Sequence, residues 1–151
     1  MRPKTWPTRR WPGLVRTVLD TNILVSALIS GAGPPALLLK AVRKRRLTLI
    51  TSPAQIAELR RVLSRDTLRE RFGPGEAETL LETIDAIAVV VENLPACDFS
   101  SDPADNLILA AAIAGNADLI VSGDKKDMLA LGTAQGIPIV TACEAVSRLQ
   151  T

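Results

Sequence analysis

The stretch VRTVLDTNILVSAL, residues 15–28, sets Asp20 between two apolar runs. A carboxylate enclosed in that way is costly unless something pairs with it. Other acids stand at comparable places. Asp124 follows the apolar run DLIVS after a single glycine, Asp102 and Asp105 open SDPADNLILAAA, and Glu58 lies within SPAQIAELRRVLSR. Carboxylates gathered at one place raise one another's pKa, and a divalent cation relieves the repulsion. Oxygen donors without Cys or His suit Mg²⁺ or Mn²⁺ rather than Zn²⁺. The chain has no histidine. That absence removes Ser-His-Asp and Cys-His nucleophile systems, imidazole bases and HExxH zinc sites together. Chemistry must come from carboxylates, hydroxyls, lysines or a bound metal.

Each acid also has an ordinary structural reading. Asp102 stands where a helix N-cap is expected, and Asp105 falls in the first turn, where the helix dipole alone favours it. Glu58 lies well round the helical wheel from Ile56, Leu59 and Leu63, the position of a solvated acid paired with a nearby arginine. Asp124 could cap a short helix. Asp127, Asp118, Asp98 and Glu144 read as surface or capping residues. Asp20 has the weakest ordinary account.

The elements that must carry these residues alternate in type. Short β-like runs fall at 15–19, 47–51, 87–91, 118–122 and 137–141, with helical patterns between them. Pro34-Pro35 open one helix and Ser52-Pro53-x-Gln55 a second, in capping-box form. A short helix over 65–72 ends at Gly73-Pro74-Gly75, and another amphipathic helix covers 75–86. Asp102-Pro103 start a helix closed by Gly115. A brief helix is expected over 125–131, and Thr141-x-x-Glu144 caps the last one. Aliphatic strands alternating with helices form a parallel sheet covered on both faces. The expectation is a single three-layer α/β/α domain over 15–151, with a central parallel sheet of about five strands. Ligands of such sheets gather beyond the carboxyl ends of the strands, which is where Asp20 and Asp124 fall.

With 151 residues and 47% apolar content, one domain with a sizeable aliphatic core is possible. No apolar run reaches the roughly 18–20 residues that span a bilayer. Cys97 and Cys143 form no CxxC, and two isolated thiols suit the reducing cytoplasm, both as packed side chains. Residues 1–14, MRPKTWPTRRWPGL, read as a disordered basic arm. Beyond residue 16 the chain holds thirteen basic and sixteen acidic residues, a balance of about −3. The basic ones cluster as KAVRKRR (40–46) and at Arg60, Arg61, Arg65, Arg69 and Arg71. An acidic body with basic stripes can bind a polyanion and keep an acidic pocket.

At these residues the sequence resembles the PIN-domain family, and within it the VapC-like toxins of bacterial type II toxin–antitoxin pairs. VLDTNILVSAL, SPAQIAELRRVLSR, SDPADNLILAAAIAGNADLIVSGDKKDML and GIPIVTACEA carry the resemblance, in the family's order over about 15–145. It implies a metal-dependent ribonuclease whose catalytic and metal-holding acids are Asp20, Glu58, Asp105 and Asp124. Ser122 stands where the family often has Thr, and Asn22 matches an Asn that orients the first acid. Asp102 is a further candidate for supporting the site, and Lys125 and Lys126 for touching the substrate. Val15-Arg16 occupies the place where related chains begin, so 1–14 is expected to be an artefact of the assigned start.

The implied reaction is hydrolysis of RNA phosphodiester bonds by water with Mg²⁺ or Mn²⁺, leaving 5′-phosphate and 3′-hydroxyl ends. Lys40, Arg43, Lys44, Arg45 and Arg46 are either an RNA grip or a solvated capping face. With few aromatics, base stacking contributes little. Implied partners are RNA, a cognate antitoxin protein and a second copy in a homodimer. The alternatives are an RNA-processing nuclease that is no toxin and a non-catalytic protein-binding module. A haloacid-dehalogenase-type phosphatase needs an Asp where Asn22 stands. SGAGPP at 30–35 does not directly follow a strand, which argues against a dinucleotide-binding turn.

Overall fold

A computed structural model describes residues 15–124 and 126–149. The arm 1–14 and Lys125 lie outside the described residues. In chain order the elements are β1 (Val15–Leu19), α1 (Thr21–Ile29), α2 (Pro34–Arg43), β2 (Leu47–Thr51), α3 (Pro53–Leu63), α4 (Asp66–Arg69), α5 (Glu76–Ile87), β3 (Val89–Val90), α6 (Pro103–Ala114), β4 (Leu119–Val121), a 3-10 turn (Leu129–Leu131), β5 (Thr133–Ala134), β6 (Ile137–Val140) and α7 (Ala142–Leu149).

One six-stranded sheet runs β3-β2-β1-β4-β6-β5. Every pairing is parallel except β5 with β6. The strands alternate faces residue by residue, as the pleat requires. Val18, Ile50, Ile120 and Ile139 enter a core under α6, whereas Leu19, Leu49, Val121 and Val140 enter the core shared with α1, α2, α3, α5 and α7. Helices therefore cover both faces, and the three layers are those the alternation of elements implies. Among the described residues, no single helix is long and apolar enough to cross a membrane.

The differences from expectation are local. The 87–91 run gives only two strand residues, both exposed, because α5 continues through Ile87. The sixth strand, β5, comes from a tight hairpin over Gln135-Gly136, both at positive φ. The helix expected over 125–131 reduces to the 3-10 turn, closed by Gly132 at φ 72°. Cys143 is exposed and Cys97 half-buried, so neither thiol is packed away as the sequence implied.

The start signals behave as the capping rules require. The Ser52 hydroxyl accepts the Gln55 N–H at 3.2 Å, the Asp102 carboxylate accepts that of Ala104 at 2.9 Å, and Thr141 and Glu144 cap each other's N–H groups. Gly115 closes α6 against β2: a Cβ there would stand 2.6 Å from Ile50 Cγ2. The Arg16 guanidinium donates to the Gly115 carbonyl at 2.7 and 2.9 Å. Arg16 is thus a clasp for the end of α6, not part of the basic arm.

Candidate active site

Parallel pairing brings the C-terminal ends of β1 and β4 side by side, with Leu19 opposite Val121. The next residues are Asp20 and Ser122. The Asp20 N–H donates to the Val121 carbonyl at 2.9 Å, and the Ser122 hydroxyl donates to Asp20 Oδ2 at 2.8 Å. The same hydroxyl accepts the Asp124 N–H at 3.1 Å. Ser122 is fully buried and Asp20 only 7% exposed. One hydroxyl therefore joins two acids that lie a hundred residues apart in the chain.

Asp105 enters from the first turn of α6 and is also 7% exposed. The Ser100 hydroxyl donates to its Oδ2 at 3.2 Å. Asn106 holds Ser100 in place by donating to its carbonyl at 2.8 Å and accepting its N–H at 2.9 Å. The carboxylates of Asp105, Asp124 and Asp127 each offer an oxygen within 4.8 Å of the others. Asp20 lies outside that triplet, turned toward Ser122. Asp124 Oδ1 accepts the N–H groups of Lys126 and Asp127, both at 3.1 Å, so the turn after β4 wraps around it.

The electrostatics follow from this crowding. Burial, and then the charges of Asp102, Asp124 and Asp20, push Asp105 up to about 6, against a lesser pull from Ser100. Asp20 is also raised. Burial outweighs the Ser122 hydrogen bond and the nearby N–H groups of Asn22 and Thr21, and the charge of Asp124 adds to the rise.

A pocket of about 630 Å³ opens over these groups, lined by Asp20, Asn22, Glu58, Asp102, Asp105 and Asp124 among others. Glu58 faces the pocket, but its carboxylate is in an ion pair with Arg61 at 2.8 Å on the same helix. Both of its readings are thus visible at once. Asn22 is exposed, and among the described residues its side chain makes no hydrogen bond to Asp20. Asp102 caps α6 at the rim. Lys126 is exposed beside Asp124, and Lys125 lies outside the described residues. The basic segment 40–46 is absent from the lining.

Three contributors escaped the sequence reading. Asp127, taken there as a capping or surface residue, joins the acid triplet. Ser100 and Asn106 form the clasp under Asp105. Gln55 is nearly fully buried, and its amide donates to the Leu19 carbonyl at 2.6 Å and accepts the Thr51 hydroxyl at 3.2 Å. It ties α3 to the residue preceding Asp20. The capping-box pattern had aimed that side chain at Ser52 instead.

The donor set is entirely oxygen. Two of its acids are buried and raised, and among the described residues no Lys or Arg forms an ion pair with any of Asp20, Asp105, Asp124 or Asp127. Such a group fits a hard divalent cation.

The comparisons with known proteins agree with this architecture. The chain is 26% identical over 118 residues to the uncharacterized protein MJ1680 of Methanocaldococcus jannaschii, a match covering 78% of this chain and 75% of that one. Its fold is similar to VapBC2 from Rickettsia felis, crystallised with a DNA fragment from their promoter (TM-score 0.54, 19% identity, 83% of this chain and 98% of that chain). It is also similar to PAE2754 from Pyrobaculum aerophilum (TM-score 0.55, 17% identity, 90% of both chains). The sequence model of the PIN domain matches residues 16–126, and the chain belongs to the PIN domain family.

Proposed function

We propose that the chain is a Mg²⁺- or Mn²⁺-dependent endoribonuclease, hydrolysing RNA phosphodiester bonds, and the toxin of a cytoplasmic toxin–antitoxin pair. The observation that carries this reading is the convergence of Asp105, Asp124 and Asp127 within 4.8 Å, beside buried Asp20, in a chain without histidine. Family membership supports it, and the structural likeness to VapBC2 supports a protein antitoxin as partner.

Asp20, Asp105 and Asp124 would hold the cation, with Asp127 beside them and Glu58 joining once it leaves Arg61. When bound, the cation neutralises the carboxylates, stabilises charge on the phosphate and lowers the pKa of water. The chain's own residues do the rest. Ser122 fixes the rotamer of Asp20, and Ser100 fixes that of Asp105. Asn22, Lys126 and Lys125 contact the phosphate. Asp102 holds the first turn of α6 so that Asp105 faces inward. Water serves as nucleophile, so the RNA 2′-hydroxyl need not attack and the products carry 5′-phosphate ends. The antitoxin would cover the acid pocket, and the toxin would work as a homodimer.

The test is incubation with total RNA in Mg²⁺ or Mn²⁺, with and without EDTA, followed by end mapping, alongside induction in a bacterial host. Metal-dependent cuts with 5′-phosphate ends and growth arrest, both lost in Asp105→Asn, are expected. Cleavage that continues in EDTA, or in the variant, overturns the reading. Cleavage without growth arrest points to an RNA-processing nuclease instead.

A further inference from the structure

The basic segment 40–46 stands at the wrong edge of the sheet to serve the acid pocket directly. β1, β2, β4 and β6 are parallel, so Asp20 and Ser122 leave one edge. Arg46 enters β2 at the opposite edge, a five-residue strand away, which is about 17 Å. Lys40, Arg43, Lys44, Arg45 and Arg46 are all exposed, and none is in an ion pair among the described residues. Lys40 and Arg43 also line a groove of about 630 Å³ with Pro74 and Gly75. Glu76 lines it too, its carboxylate accepting the Gly73 N–H at 2.6 Å.

A second observation concerns the backbone. Helix α2 ends with the Arg46 N–H on the Ala41 carbonyl and the Arg45 N–H on that of Val42, which places Arg45 in the left-handed region at φ 58°. Glycine or asparagine takes that position with least strain. The end of α6 has the same two bonds, from Ala117 to Ala112 and from Asn116 to Ile113, and there Asn116 stands at φ 53°. In α2 the chain keeps an arginine where glycine would be easier. A cation retained against local backbone preference marks a site where the charge is used.

We propose that the Lys40–Arg46 face is a second RNA-binding surface, gripping the sugar–phosphate backbone at the sheet edge opposite the acid pocket. It rests on the nuclease reading for the choice of RNA among polyanions. The body beyond residue 16 is net acidic and would repel a polyanion without such a stripe. The segment carries no aromatic residue, so its contacts are to phosphate and tolerate any sequence. RNA long enough to reach both edges gains affinity, and a short one does not.

The experiment measures binding of single-stranded RNA of about sixteen and about four nucleotides, the span of ordinary single-strand sites. It is done in EDTA over a salt series, with the full chain, Arg45→Gly and the double variant Lys44→Ala/Arg46→Ala. The slope of log K against log salt should become shallower by about 0.7 for each cation lost with the longer RNA, and stay unchanged with the shorter. Arg45→Gly should raise Tm while weakening binding, which separates a lost contact from a damaged fold. Wild-type slopes in both variants overturn the proposal, as does an equal loss for both lengths. Poly-glutamate competing as well as RNA of equal charge would assign the face to an acidic protein segment and also overturn it. Because cleavage is silent in EDTA, failure of this surface and failure of the nuclease reading give different results.

Discussion

The Ser122 hydroxyl donates to Asp20 Oδ2 at 2.8 Å across 102 residues of sequence, with both groups buried. Hydrogen bonds to a charged acceptor contribute about 1.5–3 kcal/mol, and removing the donor leaves that acceptor unsatisfied. Ser122→Ala should therefore destabilise the fold by about 2 kcal/mol in urea unfolding. It should also lower cleavage, because Asp20 loses its fixed rotamer. A variant as stable and as active as the parent would show that the bond has no part in positioning Asp20.

Asp105 supplies a pH signature. Its folded value, about 6, lies above the ordinary 3.8, so the folded protein holds this proton more tightly than the unfolded chain. The resulting contribution to stability is complete below about pH 3.8 and is lost as pH rises through about 6. In EDTA, Tm of the parent relative to Asp105→Asn should therefore climb as pH falls from 7 toward 5. At neutral pH the Asn variant should melt about 2–4 °C higher, the scale of 1 kcal/mol in a chain of this length, because a buried like charge is gone. A parent-minus-variant difference independent of pH would contradict the assignment.

Asp127 can be tested without disturbing its turn. Its N–H, not its carboxylate, caps Asp124 Oδ1, so Asp127→Asn removes charge and little else. Mn²⁺ affinity, read by calorimetry, should fall by about tenfold or more, the scale seen for groups that support metal ligands. Asp102→Asn keeps the N-cap and should alter Mn²⁺ affinity far less. Equal effects from the two substitutions would mean that the triplet has no special standing.

A packing prediction is independent of function. At Gly115 a Cβ would meet Ile50 Cγ2 at 2.6 Å and the Ala111 carbonyl at 3.0 Å. Gly115→Ala should cost about 1–3 kcal/mol of stability, since α6 or β2 must shift. Melting of the variant at the parent's temperature would show that this contact yields freely.

What could be read from the residues in order was whatever depends on near neighbours. Ser52, Asp102, Thr141 and Glu144 announce helix starts because capping is settled within three or four residues. Val18 and Leu19, or Ile120 and Val121, announce a strand buried on both faces because aliphatic runs bounded by turns have few other uses. Asp20 and Asp124 at strand ends followed from the same pattern. Chain-distant partners had no such local signal. Gln55 reaches the Leu19 carbonyl and not its own helix start, Ser100 and Asn106 close under Asp105, and Asp127 turns inward beside Asp124. The basic run at 40–46 was plain as charge, but only the parallel order of β1 and β2 puts it across the sheet from the acids. Local propensity is a property of a few consecutive residues. The meeting of side chains a hundred residues apart is decided by which strands pair, and in which direction.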